Sequence, residues 1–553
     1  MASENTTLAT FGDASKGLHE NTSEKPDHDT RHDVEEGHGT AAPLKRHLQG
    51  RHMQMIAIGG AIGAGLFVGS GSALQSGGPA SLVLCYAITG VMVLCTVMSL
   101  GEMAVLYPVN GAFFLYAYRF LDPAWAFALG WNYAIGWLLL LPFEITAAGI
   151  TISFWHEYNI GIWIAVFLTL LSIINYFGVR GYGEVEFVLS CVKIAAIIGF
   201  IIFGIVVNTG GVPTDDRGYI GFRFWNGENG NYAFRNGFKG FCSVFVLAAF
   251  SFGGTELVGL AAAEAANPYQ AIPKATKQVF WRIACFYIIS LLILGIIVPN
   301  NSKDLLGSSG ANTKASPFVL AMKYAGVKGL PSVFNTVITI SVISVANSCT
   351  YASTRTMQAM AQAGMGPKWL QYVDEKGRPV WCVLIQLAAG LLAFINESAQ
   401  GDVVFTWLLA LGGLSQLFAW GSICACHIRF RGAWKKLGRT TDELPFKSSF
   451  GIIGSYIGLT LIVLALIATF YVSLFPIGSP PDAETFFESY LGAPVMIPFY
   501  VFYKVWKKDW SLYVPMGKIL ADIDVGRRPT EELEAKQQEK SLSLGRRIYR
   551  MIF

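Results

Sequence analysis

Charge is what this sequence has least of. Asp, Glu, Lys and Arg make up only 14% of its 553 residues, against 53% hydrophobic, where a soluble domain carries about 25% charged. A chain so short of solvating groups cannot cover a soluble surface of this size. Its formal net charge of +4 gives no ground for a nucleic-acid partner. Metal-ligand spacing is missing as well, since Cys424 and Cys426 form a single close pair and a zinc site takes four ligands. There is no Walker loop and no His/Cys/Asp triad, and His156 and His427 fall at expected membrane edges, where an interfacial role is the default. The reading is not an enzyme, with no metal and no cofactor. All nine cysteines lie in or beside apolar runs, which predicts buried free thiols rather than a disulfide framework. No apolar h-region follows the start, so no signal peptide is expected. Residues 1–50 are polar with scattered histidines, a composition that predicts a disordered tail.

What is present is a succession of apolar stretches. Each is about 20 residues long, the length that crosses a hydrocarbon core of about 30 Å. Twelve spans are expected, at roughly 53–74, 79–106, 123–154, 160–177, 184–207, 238–263, 280–299, 331–360, 380–396, 403–427, 451–475 and 486–505. Lys and Arg collect in alternate connections: Arg119; Arg180; Lys274, Lys277 and Arg282; Lys368, Lys376 and Arg378; and the basic stretch 428–450. The opposite connections 71–78, 155–159, 397–402 and 476–485 hold none. This bias puts both termini in the cytoplasm. Asn-x-Ser sequons at Asn300 and Asn396 fall in the outer connections.

Two spans are broken by glycine. Ala57–Leu74 reads AIGGAIGAGLFVGSGSAL, and Phe245–Pro268 carries Gly253 and Gly254 in mid-segment before Glu256. Glycine costs a helix about 1 kcal/mol against alanine. One explanation is close helix packing through small residues. The other is a deliberate interruption: a broken helix frees backbone N–H and C=O groups, tolerable in a membrane only where a cavity or ligand satisfies them. Freed amides favour an anion and freed carbonyls a cation, together a site for a zwitterion. Two broken helices five spans apart point to an inverted-repeat transporter with a midplane site. Spacing alone fits both explanations.

Ionisable residues inside spans are costly, so each asks for a role. The candidates are Glu102, Glu144, Lys193, Glu256 and Arg355. Lys193 lies too deep in EVEFVLSCVKIAAIIGF to snorkel and should face the protein interior, either as a reversible proton carrier or as a permanently paired cation. Glu102 and Arg355, near inner ends, suggest structural or gating ion pairs. Glu144 follows Pro142, where a kink is expected.

The segments GGAIGAGLFVGSG (Gly59–Gly71), GEMAVLYP (Gly101–Pro108), FALGWNYAIGWLLLLPFEI (Phe127–Ile145), FSFGGTELVGLAAAEAANP (Phe250–Pro268), SVANSCTYASTR (Ser344–Arg355) and WKKDWSLYVPMGKILADIDVGRR (Trp506–Arg528) resemble fungal amino acid permeases. These belong to the yeast amino acid transporter branch of the amino acid–polyamine–organocation superfamily, and the likeness is to its general permeases. The resemblance implies an all-α polytopic protein with twelve transmembrane helices in a LeuT-like 5+5 inverted repeat, helices 1 and 6 discontinuous. The repeats would span about 51–207 and 238–427, with two further helices at 451–505 and cytoplasmic tails at 1–50 and 506–553. It implies proton-driven, broad uptake of L-amino acids at the plasma membrane, with H+ as coupling ion. The substrate carboxylate would meet amides around Gly63, Ala64 and Gly65, and its amine the carbonyls near Phe250, Ser251 and Gly253. Phe250 would gate the ligand, Glu256 would be a site-proximal, gating or proton-linked acid, and Lys193 would couple the proton. Glu144 joins Glu102 and Arg355 as gating or structural ionic residues. Where many relatives carry Ser or Thr, this chain has Ala64 and Ala61, so its grip on a carboxylate rests on backbone amides. A second reading is an amino acid receptor with little transport. Lys16 and Lys25 in the first tail would suit ubiquitin ligase adaptors in either case.

Overall fold

The computed structural model describes residues 48–527 apart from 61, 157, 306–315 and 398–400. Lys16, Lys25, Ala61 and most of both expected tails lie outside the described residues. Among those described the chain is helical, with only two isolated β-bridges, Leu48 to Ala265 and Asn226 to Tyr232.

Among the described residues, seven helices are long and apolar enough to cross a membrane. They are α2 (Gly65–Leu106), α4 (Pro123–Ile152), α6 (Gly178–Asn208), the Gly237–Ala263 segment that opens with α7 (Gly237–Phe252), α8 (Pro268–Ile297), α10 (Leu330–Gln362) and α13 (Gly451–Leu474). Shorter apolar helices are α5 (Ile160–Tyr176) and α11 (Val380–Asn396). The chain also forms α1 (Gly50–Gly59), α3 (Ala112–Phe120), α9 (Pro317–Tyr324), α12 (Gly401–Lys436), α14 (Ala483–Tyr490), α15 (Gly492–Lys507) and α16 (Met516–Asp522). The side chains explain individual ends. Asp122 caps α4 by accepting the Trp125 amide at 2.8 Å, with Pro123 at the first helical position, where its missing N–H costs nothing.

The connection expected at 71–78 is helical. α2 continues through it and bends at Gly78, whose φ of +81° is reserved for glycine by sterics. Pro79 follows without an amide, and the 208–237 connection closes the gap: Arg235 donates to the Gly77 carbonyl at 2.9 Å and Ala80 to that of Ala233 at 2.9 Å. The expected thiols also need revision, because Cys191 is exposed and Cys285 half-buried while the other seven are buried, all nine free. Cys191 lies on the outer face of α6, which an apolar chain in a membrane can leave to lipid.

α4 and α10 pack along one another, α2 packs against α7, and α1 against α6. The two glycine breaks lie where these pairs meet.

Candidate functional site

The first break separates α1 from α2. Beyond Gly60 the helix stops, and it restarts through a π-helical turn at Gly65–Gly69. Among the described residues, the first backbone bond of the restarted helix runs from Phe67 N to Gly63 O, 3.1 Å. The amides of Ala64, Gly65 and Leu66 precede it, as the open donors of a helix N-terminus do. The second break follows α7. Gly253 leaves the helix with ψ 142° and Gly254 turns with φ +91°, before a one-turn helix at Leu257–Leu260. A left-handed turn of this kind is open to glycine and strained for other residues.

The breaks touch. A Cβ placed on Gly65 would stand 2.6 Å from the Cα of Ser251, and one on Gly63 only 2.3 Å from Val345 Cγ2. Gly69, by contrast, would meet nothing nearer than 3.9 Å, so close packing does not explain it. Around the contact lies a narrow cavity with about 20 Å³ of free space. Its wall includes Gly63, Ala64 and Gly65 from the first break, and Phe250 and Gly253 from the second. Trp137, Leu140 and Glu144 of α4, Val345 of α10 and Gln416 of α12 complete it. The cavity thus sees a helix N-terminus on one side and the C-terminus of α7 on the other, of opposite partial charge.

Three buried polar atoms of residues on this wall, Trp137 Nε1, Glu144 Oε2 and Gln416 Oε1, have no hydrogen-bond partner among the described residues. Leaving a buried polar atom unmatched costs about 1–3 kcal/mol, so the two oxygens await a donor and the indole N–H an acceptor. Glu144 is the one ionisable side chain on the described wall. Phe250 is half-buried and meets Phe143 edge-on, ring centroids 5.6 Å apart.

Ser251 and Glu256 stand behind the wall rather than on it. The Ser251 hydroxyl pairs with Tyr86 at 2.7 Å, and its carbonyl accepts from Tyr287 at 2.8 Å. Tyr287 belongs to a π-helical stretch of α8, Arg282–Ile289, and stacks on Phe252 at 4.1 Å. Arg282 opens that stretch, fully buried and donating to Thr255 Oγ1. It is therefore not part of a basic connection, as its place beside Lys277 suggested. Glu256 accepts from Tyr133 at 2.7 Å, Trp420 Nε1 at 3.0 Å and the Gly254 amide at 3.3 Å. Its carboxylate supplies the partner that the second break's own amide lacks.

Lys193 is wholly buried, donates to Ser344 Oγ at 2.7 Å and lies 3.6 Å from Glu186 Oε1. Ser344 in turn donates to Glu186 Oε2 at 2.6 Å, and Glu144 is within Coulombic reach of Lys193. Sequence reading missed Glu186, although Glu186, Ser190 and Lys193 follow the i, i+4, i+7 spacing of one helix face.

The remaining ionic residues lie away from the cavity. Arg355 pairs with Glu264 at 2.7 Å, and Tyr351 donates to the same carboxylate at 2.8 Å. Glu102 binds Arg431 at 2.6 Å, His427 at 3.0 Å and the Ser448 amide at 2.7 Å. His427 is fully buried and also meets Ser455 at 2.6 Å, so the interfacial role expected for it gives way to an internal one. His156 is exposed.

Residues 52–516 match the amino acid permease family. An uncharacterized amino-acid permease of Schizosaccharomyces pombe is 54% identical over 498 residues, 90% of this chain and 84% of that one. The general amino-acid permease GAP1 of Saccharomyces cerevisiae is 52% identical over 502 residues, 90% and 82%. The cationic amino acid transporter 1 of S. pombe is 52% identical over 519 residues, 93% and 86%. Among solved structures, the Eremococcus coleocola manganese transporter, crystallised in complex with an aromatic bis-isothiourea substituted compound, superposes with a TM-score of 0.51 at 13% identity, over 86% of this chain and 94% of that one. At that identity the likeness shows a shared fold and no more. With a match across most of its length and relatives above half identity, the chain belongs to the amino acid permease family.

Proposed function

We propose that this protein is a secondary active transporter that imports L-amino acids of several kinds across the plasma membrane by proton symport. The observation that carries the reading is the meeting of two helix breaks around one cavity. Open amides at Ala64–Leu66 suit the substrate carboxylate, while the C-terminal end of α7 and the unmatched oxygens of Glu144 and Gln416 suit its ammonium. Ala64 offers no hydroxyl, so the carboxylate is held by backbone. Phe250 covers the ligand, and opening of the first break against the second releases it inward.

The same reading includes twelve spans in two inverted repeats of five, both termini in the cytoplasm. Proton coupling is assigned to Lys193, whose contact with Ser344 and Glu186 and Coulombic reach to Glu144 link it to the cavity wall. Glu256 braces the second break, and the pairs of Glu102 and Arg355 hold the ends of the bundle. The receptor alternative finds no support in these relatives, whose names are those of permeases and transporters.

Labelled amino acid uptake into permease-deficient cells tests this. Accumulation above the outside concentration should occur at acidic external pH, collapse with a protonophore and yield to competition by many unlabelled L-amino acids. Flux that merely equilibrates, or none, refutes symport.

A further inference from the structure

A second and larger concavity lies outside the permeation site. It is an open groove of about 610 Å³ between α12, α13 and α15, floored at one end by the start of α4. Most of its wall is aliphatic or aromatic, including Leu417, Phe418, Ile462 and Met496. Its charged groups gather at one end, where Asp122, Arg429 and Tyr513 line it, while Ser422 midway is already engaged by Trp125 Nε1 and the Phe418 carbonyl.

The charges at that end do not cancel. Asp122 is neutralised by Lys504, whose ammonium lies 2.8 Å from its carboxylate. Arg429 has no carboxylate within ion-pair reach among the described residues, and its guanidinium is propped on the carbonyls of Leu121 and Val514. One net positive charge therefore stands at the mouth of an otherwise apolar trough.

The length of the trough fits one occupant. From Arg429 back to Leu417, α12 rises about 18 Å at 1.5 Å per residue, close to the single-leaflet half of a ~30 Å hydrocarbon core. A cation at the interface above one leaflet's depth of apolar wall complements a phosphate headgroup with its acyl chain. Exposed Leu512 and Tyr513 line the mouth, Tyr513 as aromatic residues do at the headgroup level.

From this juxtaposition we infer that the α12–α13–α15 groove binds an anionic glycerophospholipid of the cytoplasmic leaflet, its phosphate on Arg429 and an acyl chain along Leu417 to Met496. The choice of leaflet rests on the orientation proposed above; the groove and its charge do not.

Native mass spectrometry of the full-length chain in detergent, offered phosphatidylserine, phosphatidylcholine or a sterol, tests the inference. Wild type should retain phosphatidylserine in preference to phosphatidylcholine. Arg429→Gln should lower that preference about fivefold, the effect of one cation at an anionic surface. Ala425→Phe, which fills the groove and leaves Arg429 in place, should abolish retention of both phospholipids. Amino acid binding in the permeation cavity, which neither residue lines, reports that each variant is folded. Should Arg429→Gln not fold, Ala425→Phe decides alone. Equal retention of the two phospholipids, undiminished retention in Ala425→Phe, preference for the sterol, or a two-chain mass that Ala425→Phe converts to one would each overturn the inference.

Discussion

Replacing Gly65 with alanine adds one methyl group where the two helix breaks meet. That Cβ would fall 2.6 Å from Ser251 Cα, 2.9 Å from Ser251 Oγ and 3.0 Å from a Phe250 ring carbon. The closest of these is backbone, so no side-chain rotation relieves the contact and the breaks must separate by several tenths of an ångström. Ser251 cannot easily yield, because Tyr86 holds its hydroxyl and Tyr287 its carbonyl. Overpacking of this kind costs about 1–3 kcal/mol. Where that strain is felt fully in the liganded state, amino acid affinity falls roughly 5- to 150-fold, tenfold for each 1.4 kcal/mol. The assay is equilibrium binding of a labelled amino acid to purified protein, with thermal stability measured alongside. Gly69→Ala is the internal control, since its added methyl meets nothing nearer than 3.9 Å; affinity should stay at the wild-type value, with up to about 1 kcal/mol of helix stability gained. Wild-type affinity in Gly65→Ala, or equal losses in both variants, would refute the argument that close approach of the breaks builds the site.

Three further outcomes are expected. Lys193→Met should abolish accumulation driven by a proton gradient while exchange of labelled for unlabelled amino acid persists; because it strands the buried Glu186 carboxylate, Lys193→Met with Glu186→Gln should recover stability but not accumulation, and gradient-driven uptake in either variant counts against the coupling role. Contacts with Arg439, then Arg527, hold the Asp524 carboxyl below the ordinary aspartate range. The stability this adds to the 516–527 segment is present above the unfolded value of about 3.9 and lost as pH falls through the lower folded value; amide exchange there should quicken only at strongly acidic pH, and Asp524→Asn should remove that dependence. The Asn300 side chain is fully buried and donates to the Tyr232 carbonyl at 2.7 Å, while Asn396 donates to Thr146 at 2.9 Å; glycosidase treatment should therefore leave the electrophoretic mobility of the mature protein unchanged, and a shift would mean either amide is accessible.

How much of this was legible beforehand varies with the range of the signal. Length and apolarity are local properties, so a chain short of charge declares its spans residue by residue. The glycine runs at Gly63–Gly65 and Gly253–Gly254 declared weak points in helices for the same reason, because backbone freedom belongs to the residue itself. Lys193 stood out because an ammonium is conspicuous in an apolar run. Closing the connection at 71–78 depended on Arg235 and Ala80 bonding across the kink, which no local pattern foretold.

By itself, then, the sequence determined that the chain is a membrane bundle, where two helices weaken and which residues cannot face lipid. The tertiary structure alone decided what those residues meet. Glu256 finds Trp420 across 164 positions, Lys193 finds Ser344 across 151, and Arg355 finds Glu264 across 91. It also turned Gln416 and Trp137 onto the cavity wall, moved Ser251 behind it and buried His427. Hydrophobic length and glycine's freedom act within a turn or two of helix. Pairing depends on how helices cross, and that geometry is set only when all of them pack together.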